Sequence, residues 1–322
     1  MAFPNVTDIV ATTIEARSRK LADNVTKNNA FLARLNERGN IRTVSGGSLI
    51  FEELSFAENG NVGWYSGYDL LPVAAQDVIS SAQFDFKQAA CPVVISGLDQ
   101  LKNAGKEQFI DLLEGRIKVA ESTMMNLLAA GVYSDGTAAG GKQIGGLDAA
   151  VPVNPATGVY GGIDRATWTF WRSKSTTMGS TATTATIQPA MNTMWSSLVR
   201  GMDRPDLIVM DNFMWGIYMG SLQAQQRFVG TSQSATLGFP TIKYMDADVV
   251  LDGGIGGFAT TKTMYFINSK YFFFRPHSDR NMVPLAPNRR YAINQDAEVQ
   301  ILAWAGNITA SGTQFQGRLI SP

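Results

Sequence analysis

The chain is poor in the residues that carry most acid–base, redox and metal chemistry. Its 322 residues hold one cysteine and one histidine. A single thiol, Cys91, excludes an intrachain disulfide framework. A single imidazole, His277, excludes a multi-histidine metal site and leaves one candidate for any histidine-based proton transfer. Charged residues are scarce at 17%, and 27 Lys+Arg balance 27 Asp+Glu. A protein whose affinity rests on neutralising many phosphates is basic, so this balance argues against dedicated nucleic-acid binding. No apolar run reaches the length of about 20 residues that crosses a bilayer. The N-terminus lacks the apolar core of a signal peptide, with charges already at Asp8 and Glu15. What the chain does have is 45% apolar residues, a folding composition over a length of about two domains.

Thr7 to Arg38 carries apolar residues at Ile9, Val10, Ile14, Leu21, Val25, Phe31, Leu32 and Leu35. That spacing predicts one or two amphipathic helices whose stripe is too thin to bury itself, so the segment needs other elements to pack on. Gly39–Gly47 is a breaker zone. From Ser48 to Ser96 the pattern turns β-like, with Asn59-Gly60-Asn61 as a turn signal and Trp64, Tyr65 and Tyr68 set among glycines. Ala82, Phe84 and Phe86 alternate with polar residues, and Pro92 assigns the Cys91–Ile95 stretch to a sheet edge. This predicts a long two-stranded excursion with exposed aromatics, which needs a partner surface.

A short helix is predicted from about Ser96 to Asn103. The strongest helix follows, over 106–132, with Phe109, Leu113, Ile117, Ala120, Met124, Leu127 and Leu128 on one face and Glu107, Asp111, Glu114, Lys118 and Glu121 facing away. It spans on the order of 40 Å. Gly136–Gly162 reads as loop, and Thr176–Thr186 as a Ser/Thr/Ala surface loop. Ile187–Val199 is predicted helical. Leu207–Met210 reads as a buried strand, followed by a helix capped by Asp211. Ile242–Leu251 reads as one strand, and Met264–Phe274 and Tyr291–Ile320 as β-rich with turns at His277–Asn281 and Gly306–Gly312. Alternating elements in the middle and strands at the ends predict an α+β fold.

No arrangement of residues qualifies as a catalytic site. Gly136–Lys142 fits G-x-x-x-x-G-K, but Gln143 stands where a phosphate loop needs Ser or Thr, and the motif follows a helix rather than a strand. His277 lies in a polar turn, Pro276-His277-Ser278-Asp279-Arg280, which predicts a solvated side chain. Cys91 sits in an apolar strand with no basic neighbour in sequence and reads as a buried, inert thiol. Glu52 and Glu53 are adjacent on a strand, so their carboxylates point to opposite faces. The expectation is a protein with no enzymatic activity, no cofactor and no metal.

The order of elements, together with KNNAFLARLNERGNIRTVSGGSLIFEEL, NLLAAGVYSDGT and QDAEVQILAWAGNITASGTQFQGRL, resembles the major capsid proteins of tailed double-stranded DNA phages, the Hong Kong 97-type fold. The resemblance spans nearly the whole chain. It implies an N-terminal arm over 1–45, an extended β-hairpin loop over 46–90, a peripheral domain with a spine helix over 91–150, a mostly axial domain over 151–262 and peripheral strands over 263–322. It implies a structural subunit that self-assembles as hexamers and pentamers into an icosahedral shell. That shell would be assembled in the host bacterial cytoplasm, would take a portal protein, would enclose DNA contacted without sequence readout and would not touch a membrane. Trp64, Tyr65 and Tyr68 become the expected intersubunit anchors, and Arg17, Arg19 and Lys20 the arm's candidate interior, DNA-facing bases. An encapsulin-type nanocompartment shell is the alternative on the same fold.

Three departures shape further expectations. Some relatives carry a scaffolding domain before the arm, whereas this sequence opens in the arm, so a separate scaffolding protein or none is expected. Some relatives cross-link a loop lysine to a neighbour's asparagine, but no lysine stands between Ser48 and Ala82, so the shell is expected to be held non-covalently. No added domain follows Pro322, so decoration would fall to a separate cement protein. Truncating residues 1–40 is expected to leave a folded core that fails to assemble.

Overall fold

Four consecutive apolar residues, Leu207–Met210, form a strand buried on both faces, and the body is built around it. The structure, a computed structural model, describes residues 29–96, 106–223, 241–253, 257–285, 290–291 and 297–322. Its helices of two turns or more are α1 (Ala30–Glu37), α2 (Lys106–Val132), α3 (Ile187–Leu198) and α4 (Asn212–Gln223). Its first strands are β1 (Ile50–Ser55), β2 (Ile79–Phe84), β3 (Lys87–Ser96), β4 (Val159–Tyr160), β5 (Ile163–Asp164), β6 (Lys174–Thr177), β7 (Leu207–Met210), β8 (Thr241–Tyr244) and β9 (Ala247–Leu251). They continue with β10 (Thr263–Ile267), β11 (Phe272–Pro284), β12 (Arg290–Tyr291), β13 (Ala297–Ala310) and β14 (Gly317–Ile320).

A mixed six-stranded sheet runs β6-β14-β10-β7-β9-β8. On one face Ile208, Met210, Val249, Met264, Phe266 and Leu319 pack with Met191, Met194 and Leu198 of α3 and Met214 and Tyr218 of α4. On the other face Leu207, Val209, Val250, Tyr265 and Ile267 join a second core. That core also takes in α1, α2, the β1–β2 pair and the sheet in which β13 pairs with β11, β12 and β3. β3 pairs with β13 along one side and with no second strand among those described, so Pro92 does lie on an edge strand.

Several expectations are corrected. Thr176 and Thr177 belong to β6, which pairs parallel to β14, and Ala182 in the same tract is buried; β-branched threonines suit a sheet edge. Residues 242–251 form a β8–β9 hairpin, turning where Met245 takes a positive φ of 53°. His277–Asn281 is an irregularity inside β11, not a chain reversal, and Gly306 lies within β13, so the second expected turn begins only after Ala310, leading through Gly312 into a 3-10 turn at Thr313–Phe315. Leu127 is half exposed while Glu121 is buried, because the buried stripe of α2 runs through Ile117, Ala120, Met124, Leu128 and Val132. β10 pairs with β7 on one side and with β14 on the other in the six-stranded sheet, while β11, β12 and β13 build the second sheet, so residues 263–322 contribute to both. The helix expected near 96–103 lies outside the described residues.

From Asn29 onward, the stretch expected to form part of the N-terminal arm packs on the chain's own body. Asn29 caps α1 by accepting from the Phe31 and Leu32 amides at 3.0 and 3.2 Å. Phe31, Leu32 and Leu35 are fully buried, and Phe31 meets Phe272 edge-on at 5.3 Å. Arg34 pairs with Asp248, and Arg38 pairs with Asp206 at 3.1 Å. Residues 40–44 then run beside β11, with the Arg42 and Val44 amides donating to the Phe274 and Pro276 carbonyls.

The Asn29 side-chain amide also donates to Asp252, at 3.2 Å, and the Tyr133 hydroxyl donates to the same oxygen. Burial holds the Asp252 carboxyl above its ordinary 3.8, opposed by hydrogen bonds from Tyr133 and the Phe258 amide. A carboxyl whose folded pKa is raised contributes stability at acid pH that is lost as pH rises through the folded value. Asp252→Asn is therefore expected to be more stable than the parent at pH 7, with the difference closing towards pH 4 in paired thermal melts. A difference that widened on acidification would contradict this.

Candidate functional site

The motifs with catalytic overtones come apart in three dimensions. The Gly136–Lys142 segment follows the end of α2 and turns through positive φ at Ala139 and Gly140, and the Gly141 carbonyl accepts from Lys87 Nζ at 2.7 Å. No strand leads into it and no long helix leaves it, so it forms no phosphate cradle. His277 is half-buried rather than solvated. Its Nδ1 accepts from the Asp279 amide at 3.1 Å and its ring meets Phe86 at 5.8 Å, because the surrounding residues stay in β11. Cys91 is half-buried, not fully buried as expected, and burial pushes its thiol up, away from the thiolate. Among the described residues no three potential metal-ligating side chains cluster.

The feature that stands out is the segment between β1 and β2. The two strands pair antiparallel from Ile50↔Phe84 to Ser55↔Ile79, and the Phe56 amide adds one bond to the Val78 carbonyl. Residues 57–78 form no ladder, so the long hairpin is corrected to a short ribbon carrying an extended, unpaired tip. The tip is interrupted by Gly60, Gly63, Gly67 and Pro72 and has no sustained period-two alternation to register a ladder. Asn59-Gly60-Asn61 does turn, with the Asn61 amide donating to Asn59 Oδ1 at 3.0 Å. Along the tip Val62, Trp64, Tyr65, Tyr68, Leu70, Leu71 and Val73 are all exposed, Trp64 and Tyr68 completely (106% each). So contiguous a run of bare aromatic and aliphatic side chains marks an interaction surface.

The root of this loop is fixed firmly. β1 alternates buried and exposed positions, which puts Glu52 on the same face as Ile50 and Leu54. The buried carboxylate receives Arg275 in a two-bond fork, at 2.6 and 2.8 Å, and the Thr309 hydroxyl at 2.7 Å. Glu53 faces solvent, as strand alternation requires. Phe56 packs against Trp168 and Phe170 at 5.8 and 5.7 Å. On the return strand Phe84 meets Tyr160 at 5.2 Å, and the Gln83 amide donates to the Gly161 carbonyl at 2.9 Å. Gly161 has φ +59°, and a Cβ there would sit 2.8 Å from the Phe84 ring, so only glycine lets the β4–β5 turn come this close. A braced root and an unpartnered tip aim the aromatics away from the core that anchors them.

Trp64, Tyr65 and Tyr68 thus share one exposed segment. Arg17, Arg19 and Lys20 lie outside the described residues. Glu52 and Arg275 were missed as a pair; the available signal was an acid at an inward-facing strand position, which demands a buried cation.

No protein-family model matches the chain, and no curated protein matches it in sequence. Solved structures do match its fold. The capsid asymmetric unit of cyanophage A-1(L) is similar at a TM-score of 0.60 and 15% identity, over 89% of this chain and 92% of that one. The capsid of the native GTA particle is similar at 0.60 and 14% identity, over 88% and 89%. The holo-SrpI encapsulin complex of Synechococcus elongatus is similar at 0.51 and 7% identity, over 89% and 86%. The chain therefore has the α+β, Hong Kong 97-like fold of phage capsid proteins.

Proposed function

We propose that the chain is the major capsid protein of a tailed double-stranded DNA phage, a subunit that assembles as hexamers and pentamers into the head shell. The observation that carries this reading is the bare apolar tip at residues 57–78, mounted on a capsid fold. A subunit that worked alone would leave that tip in water at a cost of about 25 cal/mol per Å² of apolar surface. Sister copies remove the cost. Charge balance suits dense packing of like subunits, which strong net charge would oppose. The role is structural and non-enzymatic, and the contacts are non-covalent, since the loop has no lysine to cross-link. DNA would be met on the interior without sequence readout, with Arg17, Arg19 and Lys20 as candidate contacts. Portal, scaffolding and cement proteins are further partners under this reading.

The encapsulin likeness favours a second reading, a shell around protein cargo. Nucleic acid in purified particles supports the first reading; cargo protein without nucleic acid supports the second. Trp64→Ala and Tyr68→Ala are expected to leave subunit folding intact, because both side chains are fully exposed. Each is expected to weaken the shell by about 2 kcal/mol per contact, the scale of an interface hot spot. Calorimetry of particles beside circular dichroism of dissociated subunits checks this, and an unaltered particle transition would count against the anchor role.

A further inference from the structure

The Asn59-Gly60-Asn61 turn at the start of the bare tip carries chemistry that the shell reading does not use. It holds the chain's one Asn-Gly dipeptide. Asn59 and Gly60 are both exposed. The Asn59 side chain folds back along its own main chain, with Oδ1 accepting from the Asn61 amide at 3.0 Å. That turn directs its carboxamide carbon towards the Gly60 nitrogen, which lies between the two bonded groups. The same Asn61 N–H polarises the Asn59 side-chain carbonyl and is placed to stabilise negative charge as it develops on Oδ1. Gly60 has no side chain to hinder its nitrogen, and the fold does not require a glycine there. Its φ lies outside the left-handed region, and a Cβ would meet only the Gln76 carboxamide, at 3.5 Å, an ordinary contact. Other asparagines lack this combination. Asn29, Asn40, Asn268 and Asn307 are buried. Asn154 precedes Pro155, which has no N–H, and Asn61 precedes the β-branched Val62.

We infer that Asn59 is a site of spontaneous deamidation in the free subunit. The Gly60 nitrogen gives its proton to solvent base and attacks Asn59 Cγ. The new C–N bond closes a succinimide ring, the Cγ–Nδ2 bond breaks, and the side-chain nitrogen leaves as ammonia. Water then opens the ring. Addition at Cγ gives an aspartyl residue at position 59, and addition at the main-chain carbonyl gives an isoaspartyl residue whose backbone runs through the side chain. Water is the only co-reactant, and the rate rises with pH because the attacking nitrogen must lose its proton. Resting on the shell reading above, this chemistry limits how long an unassembled subunit stays competent. The isoaspartyl product adds a carbon to the main chain and frees a carboxylate inside the turn. It thereby disturbs the bond from Asn61 Nδ2 to the Ala74 carbonyl, at 2.6 Å, that ties the two sides of the tip together. A tip covered by sister copies is held away from solvent base, so shells are spared while free subunits age.

Full-length parent and Gly60→Ala subunits, dissociated, and parent particles would be aged side by side in mildly alkaline buffer. Peptide mapping by mass spectrometry, with isoaspartyl methyltransferase labelling, follows position 59. Conversion of Asn59 is expected in parent subunits, faster at higher pH and at least tenfold slower in Gly60→Ala. An Asn59 that stays intact, or that converts no faster than Asn61, would overturn the site, and an unchanged rate in Gly60→Ala would overturn the succinimide route. Assembly yield of aged parent subunits is expected to fall in step with the label, while aged Gly60→Ala keeps its yield and parent particles stay unlabelled. Equal loss in both chains, or particles labelled at the subunit rate, would overturn the limiting role and leave the modification standing. A parent that forms no shell before ageing would remove the shell reading, with the peptide map still deciding the modification.

Discussion

Arg275→Ala is expected to destabilise the subunit by about 3–5 kcal/mol, the cost of leaving one member of a buried ion pair without its partner. The Glu52 side chain is 6% exposed and that of Arg275 16%, so little water reaches the stranded carboxylate. Thr309 would still donate one hydrogen bond, which falls well short of a neutralising charge. Arg275 also lies over the Phe273 ring at 5.2 Å, so its removal takes away packing as well as charge. The double variant Glu52→Leu, Arg275→Leu is expected to recover most of the loss, because two apolar side chains leave nothing unpaired. Urea titrations of the parent, both single variants and the double variant check this as a cycle. A single-variant loss below about 1 kcal/mol would show that the pair is solvated and that the loop root is held by its aromatic contacts alone.

Phe31→Ala is expected to cost about 3–5 kcal/mol, the range for a buried aromatic replaced by a methyl group. Phe31 has no exposed surface and lies against Phe272, with Leu32 and Leu35 equally buried beside it. The same geometry reverses the expectation for truncation. Removing residues 1–40 deletes α1, its four buried side chains and the Arg34 and Arg38 ion pairs to Asp248 and Asp206. Such a chain is expected to misfold rather than to fold and fail at assembly. Circular dichroism and limited proteolysis of the truncated chain distinguish the two outcomes, and a cooperative melt at the parent temperature would restore the original expectation.

Where the sequence was legible, one physical signal dominated locally. The long helix was readable because its apolar residues recur at helical spacing through Val132, and β7 because only a strand buried on both faces tolerates four apolar residues in a row. The loop was readable as an excursion because its aromatics sit among glycines, but its ladder was overestimated. Strand pairing depends on register between two segments, and neither segment alone fixes it. The burial of α1 was hidden for a related reason. A thin stripe says that a helix needs cover without saying whose, and here the chain's own β7 and β11 provide part of it. Glu52 and Glu53 cannot converge on one strand, and which of them faces inward is set by the side of β1 that meets the core, which the local sequence does not specify.

Electron microscopy of particles purified from the full-length protein probes most directly whether sister copies complete what one copy leaves bare. Closed icosahedral shells, with residues 57–78 of each subunit covered by neighbouring copies, are the expected result. A monomer in solution whose Trp64 and Tyr68 are folded back onto its own body would contradict it.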